Sequence, residues 1–137
     1  MRIMALDVGE RRIGIALSDA LGITAQPLMT YNRAKNNRKE DIQGLWELIK
    51  KHEVEKLVVG LPKNMNNTLG FKAEEVQNFI KALVAVEDIP VEWVDERLTT
   101  VSAERTLLEA DVSRKKRKAV IDKMAAVLIL QTYLESH

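Results

Sequence analysis

Ile3-Met4-Ala5-Leu6-Asp7-Val8-Gly9, answered after Glu10-Arg11-Arg12 by Ile13-Gly14-Ile15-Ala16-Leu17-Ser18-Asp19, is the stretch whose reading decides the fold. Two short apolar runs separated by a glycine-bearing turn read as a hairpin, with strands over 2–8 and 12–19. An aspartate at the tip of the first strand is a poor way to build only a core. Ionised carboxylates are seldom buried unless they are paired or bound to a cation. Asp7 therefore asks for partner acids and for a cation that they share.

Working outward, a third short strand is expected near 25–31, starting around Gln26-Pro27. A helix follows from about 38 to 53, where Ile42, Leu45, Trp46 and Ile49 recur at helical spacing. The run Lys56-Leu57-Val58-Val59-Gly60-Leu61-Pro62 has the continuous apolar character of a fully buried central strand. A loop with Lys63, Asn64, Asn66 and Asn67 leads to a helix over about 70–86 with the stripe Val76, Phe79, Ile80, Leu83. Pro90 to Glu96 reads as another strand ending in acids, which repeats the layout of Asp7. A helix over about 100–110, with Thr99 or Thr100 as its cap, the basic run Arg114–Lys118 and a last helix over about 119–135 complete the chain. An antiparallel start followed by βα units implies an α/β fold: a mixed five-stranded sheet with helices on both faces. Ligands of such sheets bind beyond the carboxyl ends of the strands, where Asp7 and Glu96 both lie.

The bulk properties narrow the function. With 137 residues and neither repeat nor linker, a single domain over 1–137 is expected. A net charge of only +1 excludes a general polyanion binder, so any nucleic-acid affinity must come from local patches. The chain has no cysteine, hence no disulfide, no thiolate zinc site and no cysteine nucleophile, which suits a reducing cytoplasm. No 18-residue apolar span argues for a membrane helix, and the strand pattern from Arg2 leaves no room for a signal peptide.

The last helix supplies a third acid. Asp122, Ala125, Ala126 and Ile129 share a face by the i, i+3, i+4, i+7 rule, and the two alanines would let that helix approach the sheet closely. Asp122 alone also reads as a carboxylate complementing the helix dipole. Three converging carboxylates need a cation between them. With oxygen donors only, a hard divalent ion follows, Mg²⁺ or Mn²⁺. Such a site suits attack of water on a phosphodiester.

Four blocks now carry a resemblance: Asp7 to Ala16 with Ser18-Asp19; Val59-Gly60-Leu61-Pro62-Lys63-Asn64-Met65; Asp95-Glu96-Arg97-Leu98-Thr99-Thr100; and Ile121 to Ala126 with Ile129-Leu130-Gln131. In this order they resemble the YqgF/RuvX family of RNase H-like nucleases. The resemblance implies an RNase H-like fold and metal-dependent phosphodiester hydrolysis, with the family's acids falling on Asp7, Glu96 and Asp122. It implies maturation of the 5′ end of precursor 16S rRNA, in a ribosome-assembly context, as the favoured role. Resolution of Holliday junctions in branched DNA is the alternative, and the oligomeric state stays open. Two departures stand out: Asn66-Asn67-Thr68 where the family often has Asn-Gly-Thr, and Glu10 where a basic or neutral residue is common.

Arg11, Arg12, Lys63, Asn64 and Arg97 fall in loops near the strand tips and read as phosphate contacts, although Lys63 and Asn64 also read as loop-shaping residues. Lys115 and Lys116, within Arg114–Lys118, read either as a phosphate clamp or as solvated surface. Asp19 is expected to fix a turn and His52 to sit near a helix C-terminus. Trp46 and Trp93 are expected in the core and not as base-stacking platforms. Two competing functions remain: the first phosphate loop of an actin-like ATPase, which requires a second domain, and a non-catalytic nucleic-acid-binding factor.

Overall fold

The computed structural model describes residues 2–62, 70–95 and 114–136, and for Phe71 and residues 114–123 only the backbone. Five strands form one sheet: β1 (Arg2–Val8), β2 (Arg12–Ser18), β3 (Ala25–Asn32), β4 (Val54–Leu61) and β5 (Val91–Asp95). Their order is β3-β2-β1-β4-β5. The first three strands are antiparallel, whereas β4 runs parallel to both β1 and β5. Three helices accompany the sheet among the described residues: α1 (Arg38–Lys51), α2 (Phe71–Val86) and α3 (Arg114–Ser136). The expected mixed sheet with helices on both faces is thus what forms. The expected helix over 100–110 and its Thr99 or Thr100 cap lie outside the described residues.

Alternation along the strands divides the core in two. Met4, Leu6, Ile13, Ile15, Leu57 and Val59 face α1 and α2, meeting Ile42, Leu45, Trp46 and Ile49 of α1 and Val76, Phe79, Ile80 and Leu83 of α2. Both helical stripes are the ones read from the sequence. Ile3, Ala5, Ala16, Val58 and Val94 face the other way, onto Ala126, Val127, Ile129, Leu130 and Tyr133 of α3. Small residues on both sides of that contact, Ala5, Ala16 and Ala126 among them, are fully buried, which lets helix and sheet approach closely.

Trp46 sits in the α1/α2 layer with its indole Nε1–H donating to the Leu83 carbonyl at 2.9 Å. Trp46→Phe keeps most of the packing and removes that bond, so a loss of about 1 kcal/mol in a denaturant titration is expected.

The sequence-based boundaries shift in places. Helix α1 ends at Lys51, with His52 as its C-cap and Glu53 in the left-handed region (φ 54) turning the chain into β4. Strand β4 starts at Val54, two residues before the expected Lys56, and β2 stops at Ser18. The last helix starts at Arg114, so the run Arg114–Lys118 forms its opening turns and does not precede it. Arg and Lys are good helix formers, and a polar stretch has no apolar periodicity to announce a helix. Trp93 departs from its expected core position: it is 39 % exposed. Strand β5 is at the sheet edge, and Trp93 points to the opposite face from the buried Val94.

Candidate functional site

The carboxyl ends of β1, β4 and β5 lie at one end of the sheet because these strands run parallel. Asp7 is the penultimate residue of β1 and is half-buried. It shares the strand parity of Ile3 and Ala5, so it belongs to the face covered by α3. Gly14 of β2 lies directly opposite it. On the other side, Gly60 is the next residue of β4 after the Leu6–Val59 pair. The two residues directly beside Asp7 on its neighbouring strands are therefore glycines. Gly60 pairs in turn with Val94 of β5, also on the α3 face, and Glu96 follows Val94 by two residues.

Helix α3 packs on the sheet face to which Asp7 belongs, through Ala126, Val127, Ile129, Leu130 and Tyr133. Near its C-terminal end, the Tyr133 hydroxyl accepts a hydrogen bond of 2.9 Å from the Lys56 ammonium, close to the start of β4. That bond is the main reason the lysine titrates above its ordinary 10.5. The eleven residues from Tyr133 back to position 122 cover about 16 Å at about 1.5 Å per residue. The five from Lys56 on to Leu61 cover about 16 Å at about 3.3 Å per residue. A helix lying along the strands would therefore carry the backbone at position 122 about as far as the strand tips.

Of the three expected acids, Asp7 is described in full, Asp122 by its helical backbone, and Glu96 lies outside the described residues, as do Lys63, Asn64 and Arg97. No group of three or more His, Cys, Asp or Glu side chains forms a cation site among the described residues. Lys115 and Lys116 lie on the opening turns of α3. Arg11 is exposed in the β1–β2 turn, and Arg12 opens β2 opposite Asn32. Asp19 is at the other end of β2. It accepts from the Ile23 N–H at 2.7 Å and the Thr24 N–H at 3.3 Å, and the Ile23 bond is the chief cause of a carboxyl held below its ordinary 3.8. It fixes a turn, as expected, far from Asp7 along the strand.

The β1–β2 turn is held by a device not foreseen from the sequence. Asp41 of α1 is a buried carboxylate, 1 % exposed. Its oxygens accept from Arg33 Nε at 3.0 Å and from the Ala34 N–H at 2.8 Å. Arg33 also donates from Nη1 to the Gly9 carbonyl at 2.7 Å, and its backbone N–H donates to the Arg11 carbonyl at 2.9 Å. Its guanidinium lies 4.8 Å from the centre of the Phe79 ring. The end of β3, the start of α1 and the turn after Asp7 are thereby tied together. Gly9 closes that turn by donating to the Arg12 carbonyl at 2.9 Å, and a Cβ at Gly9 would come within 2.8 Å of that oxygen. A sequence signal for Asp41 existed: it falls in phase with Leu45 and Ile49, on the apolar face of α1.

A cleft of about 480 Å³ beside the turn is lined by Val8, Gly9, Glu10, Arg33, Arg38, Pro62 and residues of α2 including Lys72 and Phe79. It lies on the α1/α2 side of β1, and Asp7 does not line it.

With this geometry in place, comparison with known proteins is informative. Residues 1–136 match the model of the family RuvX, described as Holliday junction resolvase. A protein of Natranaerobius thermophilus named "Putative pre-16S rRNA nuclease" is 58% identical over 135 residues, covering 98% of this chain and 94% of its own. One of the same name from Listeria monocytogenes serovar 1/2a is 56% identical over 136 residues, covering 99% of each. Among solved structures, T. thermophilus RuvC in complex with a Holliday junction substrate superposes with a TM-score of 0.63 at 15% identity, covering 99% of this chain and 96% of that one. The fowlpox virus Holliday junction resolvase gives a TM-score of 0.57 at 15% identity, covering 100% of both chains. The fold is the RNase H-like fold of these resolvases.

Proposed function

The chain belongs to the RuvX family, and from that membership we propose that it is a divalent-metal-dependent nuclease that processes the 5′ end of precursor 16S rRNA. The names of relatives at 53% to 58% identity over nearly the full chain support precursor rRNA as substrate. The observation that carries the catalytic reading is Asp7: a half-buried carboxylate at the tip of a central strand, flanked by Gly14 and Gly60, on the face covered by α3.

Asp7, Glu96 and Asp122 are the residues that would hold the ion. All are oxygen donors, and the chain has no cysteine, which fits Mg²⁺ or Mn²⁺. When bound, such an ion supplies Lewis-acid activation of the phosphodiester and of water. The chain's own residues fix where this happens. Pairing on both sides of β1 holds the Asp7 backbone, and the Arg33–Asp41 pair holds the turn that follows it. Arg11 and Arg12, with Lys63 and Arg97, neutralise substrate phosphates near the strand tips, and the Asn64 amide hydrogen-bonds to them. Lys115 and Lys116 on the opening turns of α3 neutralise phosphates beside Asp122. In the reaction, a water oxygen bonds to phosphorus and gives up a proton, the bridging P–O bond breaks, and the leaving oxygen takes up a proton.

The protein acts as one domain over 1–137 in the cytoplasm, within ribosome assembly. No described helix is long and apolar enough to cross a membrane.

A second reading, resolution of four-way DNA junctions, is favoured by the description of the matching family. One assay separates the two. Purified protein is offered precursor 16S rRNA and a four-way DNA junction side by side, with Mg²⁺, with Mn²⁺ and with EDTA. Cleavage of the RNA with either ion and none in EDTA is expected. Cleavage of the junction alone would overturn the rRNA assignment, and undiminished cleavage in EDTA would overturn the metal.

A further inference from the structure

A second cavity, a groove of about 1030 Å³, runs from the β1–β2 turn along the end of β3 to the start of α1. It shares Glu10, Arg33 and Arg38 with the cleft beside the turn, so the two adjoin. We propose that this groove is a track for a nucleic-acid backbone, with Arg11, Lys35 and Arg38 taking successive phosphates as the strand leaves the strand tips. The proposal rests on the nuclease reading and adds Lys35 and Arg38 to the substrate contacts.

The charges in the groove fall into two kinds. Arg33 is consumed by Asp41, which sits beneath the groove as a buried partner. Arg11, Lys35 and Arg38 are exposed and have no ion pair among the described residues. Glu10 is the single acid of the lining besides Asp41. A cluster of exposed cations is thus concentrated here in a chain whose net charge is only +1.

The cations are also positioned. Arg33 ties the loop at 33–37 to the turn carrying Arg11, through the Gly9 and Arg11 carbonyls. Asn36 takes the left-handed conformation (φ 56), which asparagine tolerates well, and Asn37 caps α1 by accepting from the Glu40 N–H at 3.1 Å. A loop fixed in this way loses little entropy when it binds. The lining offers cations and amides but no aromatic ring. It is therefore suited to phosphate and sugar, without base stacking or sequence preference.

The test is a fluorescence-anisotropy titration of labelled single-stranded precursor rRNA over a range of salt, in EDTA so that the substrate stays intact. The variant Lys35→Ala/Arg38→Ala is compared with the wild type and with Lys51→Ala/Lys81→Ala, which removes the same charge from exposed helix positions outside the groove. Each lost phosphate contact flattens the slope of log K against log salt by about 0.7 for a single strand. The groove variant is expected to be flatter than wild type by about 1.4, and the control to match wild type. A groove variant with the wild-type slope would overturn the track alone. Equal flattening in the control would also overturn it, by showing a diffuse charge effect. Absence of RNA binding by the wild type would overturn the nuclease reading on which it rests. A four-way junction in place of RNA should show the same ordering of the variants, since the track reads only the backbone.

Discussion

Asp7→Asn is expected to lower cleavage of precursor rRNA at least about 10³-fold, equivalent to about 4 kcal/mol of barrier, while the protein stays folded. The substitution keeps shape and removes charge at a half-buried position with glycines on both neighbouring strands, so packing has no reason to change. With Asp7, Glu96 and Asp122 converging as proposed, removing one carboxylate would relieve repulsion when no ion is bound. The melting temperature without metal should therefore hold or rise slightly. Binding of Mn²⁺, followed by calorimetry, should weaken in parallel with the loss of cleavage. Full cleavage by well-purified Asp7→Asn protein would remove Asp7 from the mechanism. A melting temperature that falls together with activity would reassign it to a structural role.

The second large effect concerns stability. Asp41→Ala is expected to cost about 3–5 kcal/mol, because truncating one partner of a buried pair leaves the other charge uncompensated. For a chain of this length that amounts to about 10–20 °C in melting temperature. The Arg33 side chain is 20% exposed and the Asp41 side chain 1%, so little water reaches the carboxylate. The Ala34 N–H would also lose its acceptor. Asp41→Asn keeps one amide oxygen for that N–H and should lose less. Loss of the pair also frees the β1–β2 turn through Gly9 and Arg11, so cleavage measured well below the new melting temperature should fall as well. A loss under about 1 kcal/mol in urea titration would show that the pair is solvated and does not brace the turn.

The place of Asp7 near the end of a strand was legible in the sequence, and the pairing of Asp41 with Arg33 was not. Asp7 stood out because an acid interrupts an apolar strand, a local contradiction visible in seven residues. Asp41 stands on the face of α1 shared by Leu45 and Ile49, yet its partner Arg33 lies in an irregular segment with no periodicity to fix its direction. Trp93 was misjudged for a related reason. Alternation gives the two faces of β5, but whether a helix covers one of them depends on the position of the strand at the sheet edge. The run Arg114–Lys118 carries helical propensity without an apolar stripe, so its place in α3 was not legible either.

The sequence by itself determined the five strands and the three described helices to within a few residues, the two apolar stripes of α1 and α2, and the mixed character of the sheet. Hydrophobic spacing is a local code that each segment states alone. Only the tertiary structure decided that β1, β4 and β5 end together and that α3 covers the face to which Asp7 belongs. Only it decided that Arg33 and Asp41 close over the turn behind Asp7, and that Arg11, Lys35 and Arg38 border one groove. Those relations join residues far apart in the chain. They follow from strand order and from the direction in which helices cross the sheet, which no single segment encodes.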